Sequence, residues 1–87
     1  MSSYLVLALR TPRFDATVVE PHRDFLRHLF DGGQLRESGS FTDGTGGAYV
    51  IEAESLDAAT ELAHADPLHT TGASELVVRE WDITLSR

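Results

Sequence analysis

The residues at 4–9, Tyr-Leu-Val-Leu-Ala-Leu, are apolar without a break and are followed by Thr11-Pro12. A run this short, closed by proline, reads as a buried strand. From 18 to 30 the pattern changes to helical spacing, with positions 18, 22, 25, 26, 29 and 30 on one stripe and His22 the polar member of it. Pro21 is acceptable in a first turn, and Gly32-Gly33 supplies a stop. On the opposite, solvated face, Asp24 to Arg27 and Arg27 to Asp31 have ion-pair spacing. The stretches 34–41 and 47–54 read as strands joined by Thr42-Asp-Gly-Thr-Gly46, whose glycines permit a hairpin. Ser55 stands as an N-cap ahead of Leu56, Ala59, Leu62 and Ala63, and Pro67 ends or bends that second helix. A β-branched and aromatic stretch at 75–83 closes the chain as a strand. The order β-α-β-β-α-β predicts a ferredoxin-like α+β fold in a single domain over 1–87: a four-stranded antiparallel sheet with two helices on one face.

The same alternations carry a second expectation. Tyr4, Val6 and Ala8 form one face of the first strand and Leu5, Leu7 and Leu9 the other, and the third strand is also apolar on both (Ala48 and Val50; Tyr49, Ile51 and Ala53). Two helices cover one face only. With Trp81 added, the uncovered face is too apolar for a soluble monomer, so the sequence predicts a homodimer through the sheet face.

Composition narrows the partners. The 87 residues suit one small core, which oligomerisation commonly supports. Seven Arg, no Lys and fourteen acidic residues give a net charge of −7, which argues against nucleic acid and against anionic membrane surfaces. No apolar run is long enough for a membrane span or a signal peptide, so a cytoplasmic location is expected. The absence of cysteine removes disulfides, thiolate nucleophiles and cysteine-held zinc.

Two polar residues stand out by direction. At 100° per residue His22 lies within about 60° of Val18, Phe25, Leu26 and Leu29, in the middle of an apolar face. Asp66 lies within about 20° of Ala59 on the second helical pattern, so its carboxylate is also aimed at the sheet. A carboxylate at a helix C-terminus is costly unless a donor answers it, and His22 could be that donor. Each residue also has a plain structural reading: His22 as a core histidine bonded to a backbone carbonyl, and Asp66-Pro67 as the cap and first residue of a short further turn. Asp31, nine residues after His22, falls on the far side of the same helix. His28, His64 and His69 read as solvated. No metal-ligand spacing, Gly-x-Ser-x-Gly or Gly-x-Gly-x-x-Gly occurs, and the Gly-rich 42–46 segment reads as a turn, so neither a metal nor a cofactor is expected.

Glu20-Pro-His22-x-x-Phe-Leu, Gly33-Gln-Leu-x-x-x-Gly39, Ser55-Leu-x-x-Ala, Ala65-Asp-Pro67 and the closing strand together resemble the YCII-related (YciI-like) domain, in order and spacing, over almost the whole chain. The resemblance implies a ferredoxin-like fold forming a dimeric α/β barrel, with a cleft holding a His–Asp dyad; carried over, these are His22 and Asp66. Family members often have proline after the glycine that ends the second strand, where this chain has Ser40, which bears on the cleft wall. One branch is described as a dehydrochlorinase of a hydroxylated chloroaromatic.

Two functional classes follow. In the first, Asp66 holds His22 in one tautomer so that the imidazole moves a proton on a small organic substrate, in isomerase or lyase/dehydrochlorinase-type chemistry, with Arg10 and Ser40 as substrate-binding candidates. In the second, the same cleft binds a small ligand without turnover, or the pair only supports the fold as part of a structural or interaction module.

Overall fold

The computed structural model describes residues 1–87. Its elements are β1 (Ser2–Arg10), a 3₁₀ turn (Ala16–Val18), α1 (Val19–Asp31), β2 (Leu35–Ser40), β3 (Gly46–Ala53), α2 (Leu56–His64), α3 (Pro67–Thr70) and β4 (Ser74–Glu80). The antiparallel sheet has the order β2-β3-β1-β4, so the two most apolar strands lie in the middle. This is the predicted ferredoxin-like α+β arrangement, with α3 as an added turn of helix.

Local chemistry sets the boundaries. Asp15 accepts the Thr17 N–H at 2.9 Å and caps the 3₁₀ turn that feeds α1. α1 stops at Gly32, and Gly33 follows with φ 79°. Ser55 Oγ accepts the Ala58 N–H at 3.1 Å and starts α2, as its position predicts. In the β2–β3 connection Gly44 takes φ 80°, and Asp43 accepts both the hydroxyl and the N–H of Thr45, which hold its carboxyl below the usual range.

Register assigns the faces. Tyr4 pairs with Ile51 and Val6 with Tyr49, and this face packs on Leu29 of α1 and on Ala59 and Ala63 of α2. Val6, Ile51, Ala59 and Ala63 have no exposed surface. A second cluster joins Ala8, Val18, Leu68 and Ala73 at the other end of the same face. The opposite face carries Leu5, Leu7, Ala48, Val50 and Val77, with the large exposed rings of Phe41 and Trp81 nearby.

Three expectations are corrected. β4 ends at Glu80, not at 83; one further bond to β1 follows it, from the Trp81 N–H to the Ser3 carbonyl at 2.9 Å. No ion pair forms among Asp24, Arg27 and Asp31, as exposed pairs contribute little; the Arg27 guanidinium instead stands 5.9 Å from the Phe30 ring. Phe30 itself is 52% exposed although it closes the apolar stripe of α1, whose buried contact with the core is made one residue earlier, at Leu29.

Candidate functional site

Across the helix-facing side of the sheet, the row Ser40–Gly47–Ala8–Leu76 is made mostly of small residues, whereas the next row along reads Ser38–Tyr49–Val6–Val78. The small side chains leave space unfilled between sheet and helices, and a cavity of about 380 Å³ opens between the two core clusters. Gly47 is required here: a Cβ would overlap the Gly39 carbonyl oxygen of the adjacent strand.

Three elements converge on this cavity. His22 comes from the first turn of α1, Tyr49 from β3, and Asp66 from the junction of α2 and α3. Asp66 Oδ1 accepts from His22 Nδ1 at 2.8 Å and from the Leu68 N–H at 2.9 Å, and Oδ2 accepts the Tyr49 hydroxyl at 2.9 Å. The Leu68 bond makes Asp66 the N-cap of α3, so both readings of the residue hold together: it caps a helix and it meets the histidine. Asp66 is fully buried, yet its three donors leave no buried side-chain polar atom unpartnered.

Since an ionised carboxylate only accepts, the contact puts a proton on His22 Nδ1, and in the neutral ring Nε2 is then the nitrogen with the free lone pair. The ring is 20% exposed and borders the cavity. Burial, together with the Asp66 charge and hydrogen bond, pushes the Tyr49 hydroxyl well above its usual range, so it is a neutral donor. Its ring stands 6.2 Å from that of His22.

Arg10 and Ser40 both line the same cavity, and the Arg10 guanidinium lies 4.0 Å over the Phe14 ring. Arg23, Ser38 and Ser74 also border it and were not singled out from sequence. Tyr49 was missed as well, although it could have been found: alternation puts it beside Ile51 on the core face, where a buried hydroxyl needs a partner. His28, His64 and His69 are exposed and off the cavity, and the rings of the last two stack at 4.0 Å between centroids. No helix is long and apolar enough to cross a membrane.

These features define a ferredoxin-like α+β protein with a carboxylate-backed histidine at a cavity between helices and sheet. The chain belongs to the YCII-related family: residues 3–82 match the YCII-related domain. It is 48% identical over 83 residues to YjpA of Bacillus subtilis (strain 168), a protein described as uncharacterized, across 95% of this chain and 98% of that one. Among solved structures it is similar to 5-chloro-2-hydroxyhydroquinone dehydrochlorinase (TftG) from Burkholderia phenoliruptrix AC1100, determined in complex with 2,5-dihydroxybenzoquinone. That similarity has a TM-score of 0.68 at 19% identity and covers 92% of this chain and 93% of the other, a likeness of fold.

Proposed function

We propose that this protein is a proton-transfer enzyme acting on a small organic molecule, with His22 as the catalytic base and Asp66 as the residue that orients it. The observation that carries the reading is the 2.8 Å His22 Nδ1–Asp66 Oδ1 contact at the wall of a cavity, which leaves Nε2 free beside space for a ligand. Tyr49 supports it by tying down the second carboxylate oxygen. Arg10 and Ser40 are the proposed contacts for a substrate oxygen.

Isomerisation or elimination suits such a site. Loss of HCl from a chlorinated hydroxyhydroquinone, the type of reaction named for the structural neighbour, moves one proton and one chloride and leaves a quinone without an external oxidant. The direct test is chloride release from 5-chloro-2-hydroxyhydroquinone, followed alongside proton exchange into deuterated water for a panel of enolisable phenols and ketones. Turnover on any of them that disappears in His22→Ala supports the reading; turnover unchanged by that substitution refutes it.

A second reading is favoured by one observation: the cap of α3 accounts for Asp66 without chemistry. On this view the cavity binds a ligand and transforms nothing. Saturable binding with no turnover across the panel would select it.

The working unit we propose is a homodimer joined through the outer sheet face. Its support is the apolar set Leu5, Leu7, Val50 and Val77 with Trp81, which no helix of the chain covers.

A further inference from the structure

The charged groups around the cavity are unlike the rest of the chain. Acidic residues outnumber arginines two to one, fourteen to seven, yet the charged side chains that border the cavity are Arg10 and Arg23, with His22 between elements, and no carboxylate lines it. The Asp66 carboxylate, behind His22, is buried and already accepts three hydrogen bonds. Neither arginine has an acidic partner within 4.0 Å; most arginines of this chain share that property, so what sets these two apart is their position. Arg10 is also held, since its guanidinium lies 4.0 Å over the Phe14 ring, which is itself part of the wall. Val19, Leu26 and Leu68 give the wall an apolar part, and Ser38, Ser40 and Ser74 a neutral polar one.

We infer that the cavity selects a small organic anion, a carboxylate or phenolate on an apolar body about one ring in size, and that Arg23 is a specificity-determining residue acting with Arg10 on its charged end. The inference rests on the reading of this cavity as the substrate site. A guanidinium presents a planar fork of donors that matches a carboxylate, and about 380 Å³ lies at the small end of ligand pockets. With the acid group drawn to the arginines, the apolar body lies along Leu26 and Leu68, beside the free nitrogen of His22. In a protein of net charge −7 the surface at large repels such a ligand, so attraction is confined to the cavity.

The test is a ¹⁹F NMR titration of the full-length protein with 4-fluorobenzoate and its neutral isostere 4-fluorobenzamide, repeated with Arg23→Gln, Arg23→Lys and His22→Gln. The inference expects saturable benzoate binding that weakens with salt, falls about tenfold in Arg23→Gln and is partly kept in Arg23→Lys, with benzamide weaker and indifferent to either change. Arg23 is exposed, so its substitution does not disturb the core. Equal binding of the amide, benzoate affinity unchanged in Arg23→Gln, or no saturable binding of benzoate overturns it. His22→Gln separates the two readings: benzoate binding retained there supports the anion site whatever becomes of turnover, whereas the proton-transfer role fails only if turnover survives the same substitution.

Discussion

Tyr49 donates its hydroxyl to Asp66 Oδ2 at 2.9 Å from a strand to a helix junction, and both side chains are shut off from solvent. The bond fixes the carboxylate from the side opposite His22, so the orientation of the imidazole depends on a residue with no direct bond to it. Tyr49→Phe removes a donor and leaves Oδ2 buried without a partner, which costs about 1–3 kcal/mol of stability. Chemical denaturation of the two proteins at neutral pH measures the difference, and equal midpoints would refute the role given to this bond.

The same residue makes a pH prediction. The Tyr49 hydroxyl is raised above its ordinary value of 10.0, by burial first and then by the charge and hydrogen bond of Asp66, so the native state holds this proton more tightly than the unfolded chain. Its contribution is therefore complete below pH 10 and is lost as the pH rises further, at about 1.4 kcal/mol per pH unit. Stability measured from pH 9 to 11 should fall more steeply in the parent than in Tyr49→Phe.

Asp66 is expected to be the most sensitive polar position of the chain. Asp66→Ala strands the Tyr49 hydroxyl and the Leu68 N–H together and removes the partner of His22, for a loss of about 3 kcal/mol or more. Asp66→Asn keeps an acceptor and loses less. Long-range ¹H–¹⁵N spectra of the imidazole should show the Nδ1-protonated form in the parent and a mixture in Asp66→Asn; identical spectra would mean that the carboxylate does not set the tautomer.

His22→Ala should behave in the reverse manner. Asp66 keeps its bonds to Leu68 and Tyr49, so stability falls by only about 1–2 kcal/mol, while a lost general base lowers turnover about 10²- to 10⁴-fold. Thermal unfolding and rate measurements on the same preparation separate the two effects.

Leu7 tests the proposed assembly. It stands between Ala48 and Val77 on the outer sheet face, away from the cavity. Sedimentation should give a dimer for the parent and a folded monomer for Leu7→Glu; a parent that sediments only as a monomer at micromolar concentration would end the dimer proposal.

The order of elements was legible because each is announced locally: the unbroken run at 4–9, the 3.6-residue stripe around His22, the hairpin glycines and the Ser55 cap. The ends of elements were less so. β4 stops at Glu80, short of Trp81 and Ile83, although both are residue types that favour strands. Direction along a helix was enough to turn His22 inward, whereas Asp66, given a place on the second helix by the same argument, stands beyond its end with extended backbone and meets His22 as the N-cap of α3. Helix direction could not reveal Arg23 or Ser38 as cavity residues, because a cavity arises from the register that lines up Ser40, Gly47 and Ala8 across three strands.

Asp66 closes the cap of α3 and backs the histidine with the same oxygen. Its two duties place it under two separate selective pressures. A descendant that had lost its reaction would still retain the aspartate, because folding alone would punish its replacement, while the histidine would be free to drift. Within this fold, the surviving aspartate is therefore a poor witness to activity and the histidine a better one. Relatives that keep Asp66 but have exchanged His22 are where a binding function, freed from turnover, should be sought.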